Sequence, residues 1–235
     1  MADKSKAEHM RKILAIIPAR GGSKGIQKKN IALLAGEPLI KYTIDQAKQS
    51  KEISRIVVST DDTEISNLAI KYGAEVPYLR SPNLSEDETP SADVVLDAIE
   101  RISGYETIIM LQPTSPLRLY SDIDAALKVH AENDFNSVVS VRPTSDSPYW
   151  SFKQKSDVIT PLFPDELNKG RQSLQKTYVL NGAIYISSVE KFLLHRSFFT
   201  FPLLPYLMPV ERSLDIDTQL ELEEADRILL GVKSF

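Results

Sequence analysis

Short apolar runs alternate along this chain with longer segments in which apolar residues recur every three or four positions. Ile13 to Pro18 is continuous apolar sequence between charged residues and a Gly/Ser loop, the pattern of a buried parallel strand opening into a loop. Leu39 to Ser50 has helical spacing. Arg55 to Ser59 then reads as a β-branched strand, Asp62 to Tyr72 as a helix and Glu75 to Leu79 as another strand. Ser91 to Ile102 is predicted as a helix whose first amides Ser91 would cap. Thr107 to Leu111 reads as a strand, Ser121 to Asn133 as a helix and Ser137 to Val141 as a strand. Parallel strands need crossovers, and both faces of their sheet must be covered. The order therefore predicts an α/β fold with a doubly wound, mostly parallel sheet.

Between Pro143 and about Tyr178 the rhythm breaks, and proline, aromatic and polar residues replace the helical crossovers. That stretch is expected to leave the sheet as a β-rich arm, an active-site lid or a dimerisation flap. Gly182 to Ser187 resumes as a strand, and Thr218 to Leu230 closes the pattern as an amphipathic helix.

Composition narrows the chemistry. With 235 residues, 42% of them hydrophobic, the chain can bury one substantial core. Its formal net charge of -4, with both signs interspersed, offers no footprint for wrapping a nucleic acid. Having no cysteine, it can form neither disulfides nor thiolate metal sites, so any metal must sit on oxygen or imidazole. His9, His130 and His195 have neither metal-like nor triad spacing and read as incidental. Met1 to Lys12 is polar, lacking the apolar run of a secretory signal, and no stretch approaches the roughly 20 apolar residues of a membrane span. The expectation is a cytoplasmic protein with no membrane or nucleic-acid partner.

Candidate chemistry begins directly after the first apolar run, at Arg20-Gly21-Gly22-Ser23-Lys24-Gly25, followed by Lys28, Lys29 and Asn30. Glycines let a backbone turn tightly and aim its amides inward, and the cations add fixed positive charge, so the loop suits a triphosphate. It fits neither the dinucleotide-binding nor the P-loop pattern, and in isolation it could be a solvated basic turn. Its place at the carboxyl end of the first strand, where α/β sheets bind ligands, favours the receptor. Far downstream, Asp215 and Asp217 would point to one side of an extended segment and suit Mg²⁺. Such a pair before a helix could equally cap free amides.

Five blocks in order, Pro18-Ala19-Arg20-Gly21-Gly22-Ser23-Lys24-Gly25 with Lys29-Asn30, Val58-Ser59-Thr60-Asp61, Leu111-Gln112-Pro113-Thr114-Ser115-Pro116-Leu117-Arg118, Asn181-Gly182-Ala183-Ile184-Tyr185 and Asp215-Ile216-Asp217-Thr218, resemble the sialic acid-type cytidylyltransferases, the CMP-acylneuraminate synthetases. The resemblance implies a Rossmann-like fold of the nucleotide-diphospho-sugar transferase type. Residues 12–142 and 179–235 would form the nucleotidyltransferase domain, and 143–178 a dimerisation excursion that reaches the partner's site in a homodimer. It implies transfer of CMP from CTP to the anomeric hydroxyl of a nonulosonic acid such as N-acetylneuraminic or legionaminic acid, with release of pyrophosphate and use of Mg²⁺.

By the same resemblance Arg20, Gly21, Gly22, Ser23, Lys24, Lys29 and Asn30 would hold the CTP phosphates and ribose. Arg80 and Ser91 would contact cytosine and ribose, unless they are a surface charge and a helix cap. Asp215 and Asp217 would hold the metal, with Arg20, Lys24, Lys29 and Asp217 carrying catalysis. On the sugar side stand Gln112, otherwise a loop-closing amide, Arg171 as partner of the sugar carboxylate, and Asn181. Tyr185, Phe198 and Phe199 would wall the N-acyl group or simply belong to the core. Gln27 stands where relatives often have proline, Trp150 where some have lysine and Val179 where some have arginine, which loosens the sugar assignment. Rival readings are a CMP-Kdo synthetase, a catalytically inactive nucleotide-binding module, and a nucleotide-sugar-dependent glycosyltransferase.

Overall fold

The apolar runs come together as one sheet in the computed structural model, which describes residues 12–231. In chain order the first half supplies β1 (Ile13–Pro18), a short hairpin of β2 (Leu33–Leu34) and β3 (Glu37–Pro38), α1 (Leu39–Gln49), β4 (Arg55–Ser59) and α2 (Thr63–Lys71). Next come α3 (Ser91–Arg101), β5 (Thr107–Leu111), α4 (Tyr120–Glu132) and β6 (Val138–Pro143). The remainder gives β7 (Phe152–Lys155), β8 (Val158–Pro161), β9 (Tyr178–Ser188), α5 (Val189–His195), β10 (Leu204–Leu207) and α6 (Gln219–Leu229).

The main sheet has the order β10-β6-β9-β5-β1-β4, and all its strands are parallel except β9, which runs antiparallel to both neighbours. The unbroken apolar sequence of β1 follows from burial on both faces. Ala15 and Ile17 pack against Ile40, Ile44 and Ile65, whereas Leu14 and Ile16 pack against Val95, Ile99 and Phe192. Apart from Ala15, each such side chain contributes about 1.5–3 kcal/mol by leaving water. No helix among the described residues is long and apolar enough to cross a membrane.

Four features differ from the sequence reading. Glu75 to Leu79 forms only two isolated bridges, Glu75 with Val57 in β4 and Leu79 with Thr60 just beyond its end. Pro77 between them has no N–H to continue a ladder. β9 starts four residues earlier than the apolar pattern, because Tyr178, Val179 and Leu180 continue along β6 after the strand has parted from β5. α5 has 7 residues, too few for a helical period to show. β10 is an edge strand containing Pro205, which hides its strand character. The excursion does carry a β-hairpin, β7 with β8. His130 is buried, its Nδ1 2.7 Å from the Asn136 carbonyl and its ring edge-on to Phe135. His195 ends α5. His9 lies outside the described residues, as does the polar leading segment up to residue 11.

Candidate active site

β1 delivers the chain to the carboxyl edge of the sheet, where the glycine loop is held by its own side chains. The Gly21 N–H donates to Asp61 Oδ1 at 2.9 Å, so the end of β4 anchors the turn. Ser23 Oγ donates to the Ile26 carbonyl and accepts the Lys29 N–H at 3.1 Å. Asn30 Nδ2 donates to the Arg20 carbonyl at 2.9 Å. Ser23 and Asn30, expected against the nucleotide, thus spend these atoms on the shape of the loop. Gly25 permits a close approach: a Cβ there would stand 2.5 Å from the Asp217 carbonyl oxygen.

That approach joins the basic loop to the distant acidic pair. Lys29 Nζ donates to Asp217 Oδ1 at 2.8 Å and to the Ile216 carbonyl at 3.0 Å. The Ile216 N–H donates to the Thr114 carbonyl at 2.8 Å, which fastens the acidic segment to the loop after β5. Gly182 supplies the other contact. Its φ of +75° lies in the left-handed region, and a Cβ would fall 2.7 Å from Asp215 Oδ2 and 2.8 Å from Gln112 Oε1. Only a bare Cα lets this carboxylate and this amide crowd onto one turn.

The two carboxylates differ. Asp217 is 72% exposed in its side chain and ion-paired to Lys29. Asp215 is largely buried, and its Oδ1 has no hydrogen-bond partner. Burial pushes the Asp215 carboxyl above its ordinary value; a Thr114 hydrogen bond opposes the shift and the Asp217 charge adds to it. A buried carboxylate oxygen without a donor, beside a second carboxylate, suits a hard cation. Among the described residues no group of three or more His, Cys, Asp or Glu is gathered for a metal, so phosphate and water would complete the shell of an ion held by this pair.

The loop, the acidic segment and the Gln112 loop surround a cavity of about 380 Å³, on which Arg20, Lys24, Lys29, Arg80, Gln112 and Asp217 converge. Arg80 is 5% exposed. Its Nε and Nη2 have no hydrogen-bond partner, and its one ion pair, to Asp61, is long at 3.8 Å. Burial lowers the pKa of this guanidinium, and a ligand offering carbonyl or ring-nitrogen acceptors would relieve it. Ser91 lines the same cavity but caps nothing: Pro90 occupies the N-cap of α3, and no side chain caps the helix. The capping expectation is corrected, since α3 begins one residue too early for that hydroxyl to reach back.

Beside the acidic pair, the Tyr185 ring stands 5.8 Å from Phe198 and 6.3 Å, perpendicular, from Phe199. Phe198 packs down onto Phe192 in the core at 4.8 Å, and Phe199 is half exposed. The three rings thus form a wall with a buried foot and an open rim.

One expected sugar contact is corrected, and a second lies apart from the cavity. Asn181 turns inward, accepting from Ser140 Oγ at 2.6 Å and donating to Ser213 Oγ at 2.9 Å and Met208 Sδ at 3.2 Å. That network holds the bulge where β9 parts from β5, so the amide is committed to structure. Arg171 lies at the base of the excursion, its Nη2 3.4 Å from the Ser145 carbonyl, away from this chain's own cavity.

Three residues that matter carry no role in the sequence reading. Asp61 ties Gly21 to Arg80. Asp87 bonds both Arg20, at 2.7 Å, and Lys24, at 3.0 Å. The Lys24 hydrogen bond holds the Asp87 carboxyl below its usual value. Arg118, last residue of the Gln112 block, is fully buried behind that loop.

With this geometry in place, comparison with known proteins gives consistent results. The family model described as cytidylyltransferase matches residues 14–228. Over 227 residues the chain is 38% identical to the CMP-N,N'-diacetyllegionaminic acid synthase of Legionella pneumophila, covering 93% of this chain and 96% of that protein. It is 37% identical to the N-acylneuraminate cytidylyltransferase of Escherichia coli over 91% of this chain, and spans only 51% of that longer protein. A solved CMP-2-keto-3-deoxy-manno-octonic acid synthetase, complexed with CTP, superposes with a TM-score of 0.71 at 15% identity, over 94% of this chain and 99% of that one.

Proposed function

The chain belongs to the cytidylyltransferase family, and on that footing we propose that it transfers CMP from CTP to the anomeric hydroxyl of a nonulosonic acid and releases pyrophosphate. The observation that carries this reading is the meeting of Arg20, Lys24 and Lys29 with Asp217 and Gln112 around one cavity at the carboxyl edge of the sheet. A cationic backbone turn grips a triphosphate, and a polar cleft next to it takes the acceptor.

The roles follow from position. Arg20 and Lys24 take the β- and γ-phosphates, offsetting the charge that builds on the departing pyrophosphate. Lys29, between the loop and Asp217, faces the α-phosphate. Arg80 takes the cytosine edge with its free nitrogens, and Ser91 the ribose. Gln112 bonds a sugar hydroxyl, and the Tyr185, Phe198 and Phe199 wall receives an N-acyl group. Asp215 and Asp217 would hold Mg²⁺, which supplies charge neutralisation between nucleotide and acceptor. In the transfer the new bond joins the anomeric oxygen to the α-phosphorus. The bond from that phosphorus to the β-phosphate oxygen breaks, and the hydroxyl proton leaves to water. The anomeric hydroxyl of a 2-keto acid is acidic enough to need little help.

We assign residues 143–178 to dimerisation, so that Arg171 serves the partner's sugar site, where its planar fork would match a carboxylate. CTP is a cytoplasmic metabolite, and the reaction belongs in that compartment. The activity is tested by pyrophosphate release from the purified chain with CTP and magnesium, over a panel of N-acetylneuraminic, diacetyllegionaminic, pseudaminic and 2-keto-3-deoxy-octonic acids. Release should need both CTP and a nine-carbon acid. Release with the octonic acid alone, or with no sugar at all, would sink the assignment.

A further inference from the structure

The guanidinium of Arg118 lies inside the protein, with 1% of the residue exposed. Its Nη1 donates to the Ala183 carbonyl at 2.7 Å and to the Gln112 carbonyl at 3.3 Å. Its Nη2 donates to Thr43 Oγ1 at 2.8 Å, and that hydroxyl in turn reaches the Gln112 carbonyl at 3.3 Å. One cation therefore holds together the loop after β5, the middle of β9 just past Gly182, and helix α1. Among the described residues no carboxylate bonds it, for Asp122 is committed to Arg212 and Tyr206. Burial pushes this guanidinium down to about 9, with Asp122 acting the other way.

A buried cation bonded only to neutral oxygens is an expensive way to fill space, and an apolar side chain would pack there without the desolvation cost. What the cation adds is geometry, since one nitrogen of a rigid planar group gathers both carbonyls while its other nitrogen is tied to the Thr43 hydroxyl on α1. Those carbonyls belong to Gln112 and to Ala183, and Ala183 follows the turn on which Gln112 Oε1 and Asp215 Oδ2 converge.

We propose that Arg118 is a positioning residue that locks the Gln112 loop to the Gly182 turn and so sets the spacing between the sugar-facing amide and the acidic pair. The proposal rests on the reading of Gln112 as sugar-facing. It predicts that loosening the lock harms acceptor use and leaves nucleotide capture alone, because the glycine loop hangs on Asp61, not on Arg118.

The test compares wild type with Arg118→Lys and with Thr43→Val. A lysine keeps the charge but offers one donor nitrogen in place of the two held in a plane, so it cannot grip the carbonyls and the Thr43 hydroxyl in the same fixed arrangement, and valine removes one arm of the lock at nearly constant volume. CTP affinity, titrated without sugar, should stay within about twofold. The KM for the nonulosonic acid should rise and kcat fall by a combined factor of about 100 in Arg118→Lys, the order expected of a 1 Å misplacement, and by less in Thr43→Val. Amide hydrogen exchange should speed up together in residues 112–116 and 181–183 and nowhere else in the sheet. A lower Tm with unchanged KM and kcat, or a CTP affinity loss as large as the acceptor effect, would overturn the proposal. If Arg118→Lys does not fold, Thr43→Val decides by the same readouts. An inert wild type would defeat the cytidylyltransferase reading, and the exchange pattern alone would then uphold or reject the lock.

Discussion

Single residues settle which charges act on substrate and which hold the loop. Asp217, exposed and beside Lys29, sits where nucleotide and acceptor would meet, and Asp217→Asn should lower kcat by about 100-fold or more, as loss of several kcal/mol of charge stabilisation would. Steady-state rates across a magnesium titration check this, and an unchanged rate would remove Asp217 from the machinery. Asp87 points the opposite way, since its carboxylate bonds the two cations that a triphosphate needs. If it competes with the nucleotide, Asp87→Asn should lower the KM for CTP by about two- to fivefold, the worth of a partly exposed ion pair. A raised KM would mean that Asp87 orients the cations instead. The cations are legible in the sequence because they flank glycines directly after a strand. Asp87 is not, since Glu86-Asp87-Glu88 has the look of solvated surface, and only the folded loop brings it back over Arg20. Nor is Arg118, because an arginine after Pro116 and Leu117 gives no sign that it is buried.

At the level of elements, long periodic segments match the pattern closely and short ones escape it. α1, α2, α3, α4 and α6 fall within a residue or so of their predicted spans, each having a clear apolar face. The direction of β9 has no counterpart in its composition, for apolar residues look alike whichever way a strand runs. The start of α4 carries an ion pair that reaches across to the turn before the acidic segment. Asp122 is buried, accepting from Arg212 Nη2 at 2.7 Å, from Tyr206 Oη at 2.9 Å and from the Leu119 N–H at 2.9 Å. Burial raises the Asp122 carboxyl, but the Arg212, Leu119 and Tyr206 bonds outweigh it and leave the pKa below the ordinary 3.8. A depressed folded value contributes stability above the unfolded pKa, which is lost as pH falls through the folded one. Asp122→Asn should therefore cost about 3 kcal/mol at neutral pH and flatten the loss of stability below about pH 4. Chemical denaturation at several pH values measures both effects, and a parallel drop at every pH would contradict the ionic account.

For the whole molecule, the excursion is where sequence and structure are least alike in detail. Its departure from the sheet is legible, but the hairpin of β7 and β8 is not, because both strands are exposed and carry little apolar alternation. Trp150, Phe152, Val158, Ile159 and Phe163 all stand substantially open to solvent on it. A second copy of the chain would cover them, and a stable pairing of this kind buries about 800 Å² per partner. Sedimentation should find a dimer, and Ile159→Glu should shift it to monomer. If the arm also carries Arg171 into the partner's sugar site, that monomer should keep CTP affinity and lose transfer. A monomeric variant with full activity would separate the arm from the chemistry.

The reversed direction of β9 has one more effect. Because β6 ends and β9 begins at the same rim, Arg142 pairs with Val179 and Pro143 with Tyr178, so the excursion leaves and re-enters through a single pair of neighbouring strands. A graft that keeps those two pairings would exchange all the residues between them for the corresponding segment of a relative without altering the register of any other strand, so the arm is a module that can be transplanted while Gln112 and the Tyr185 wall stay in place.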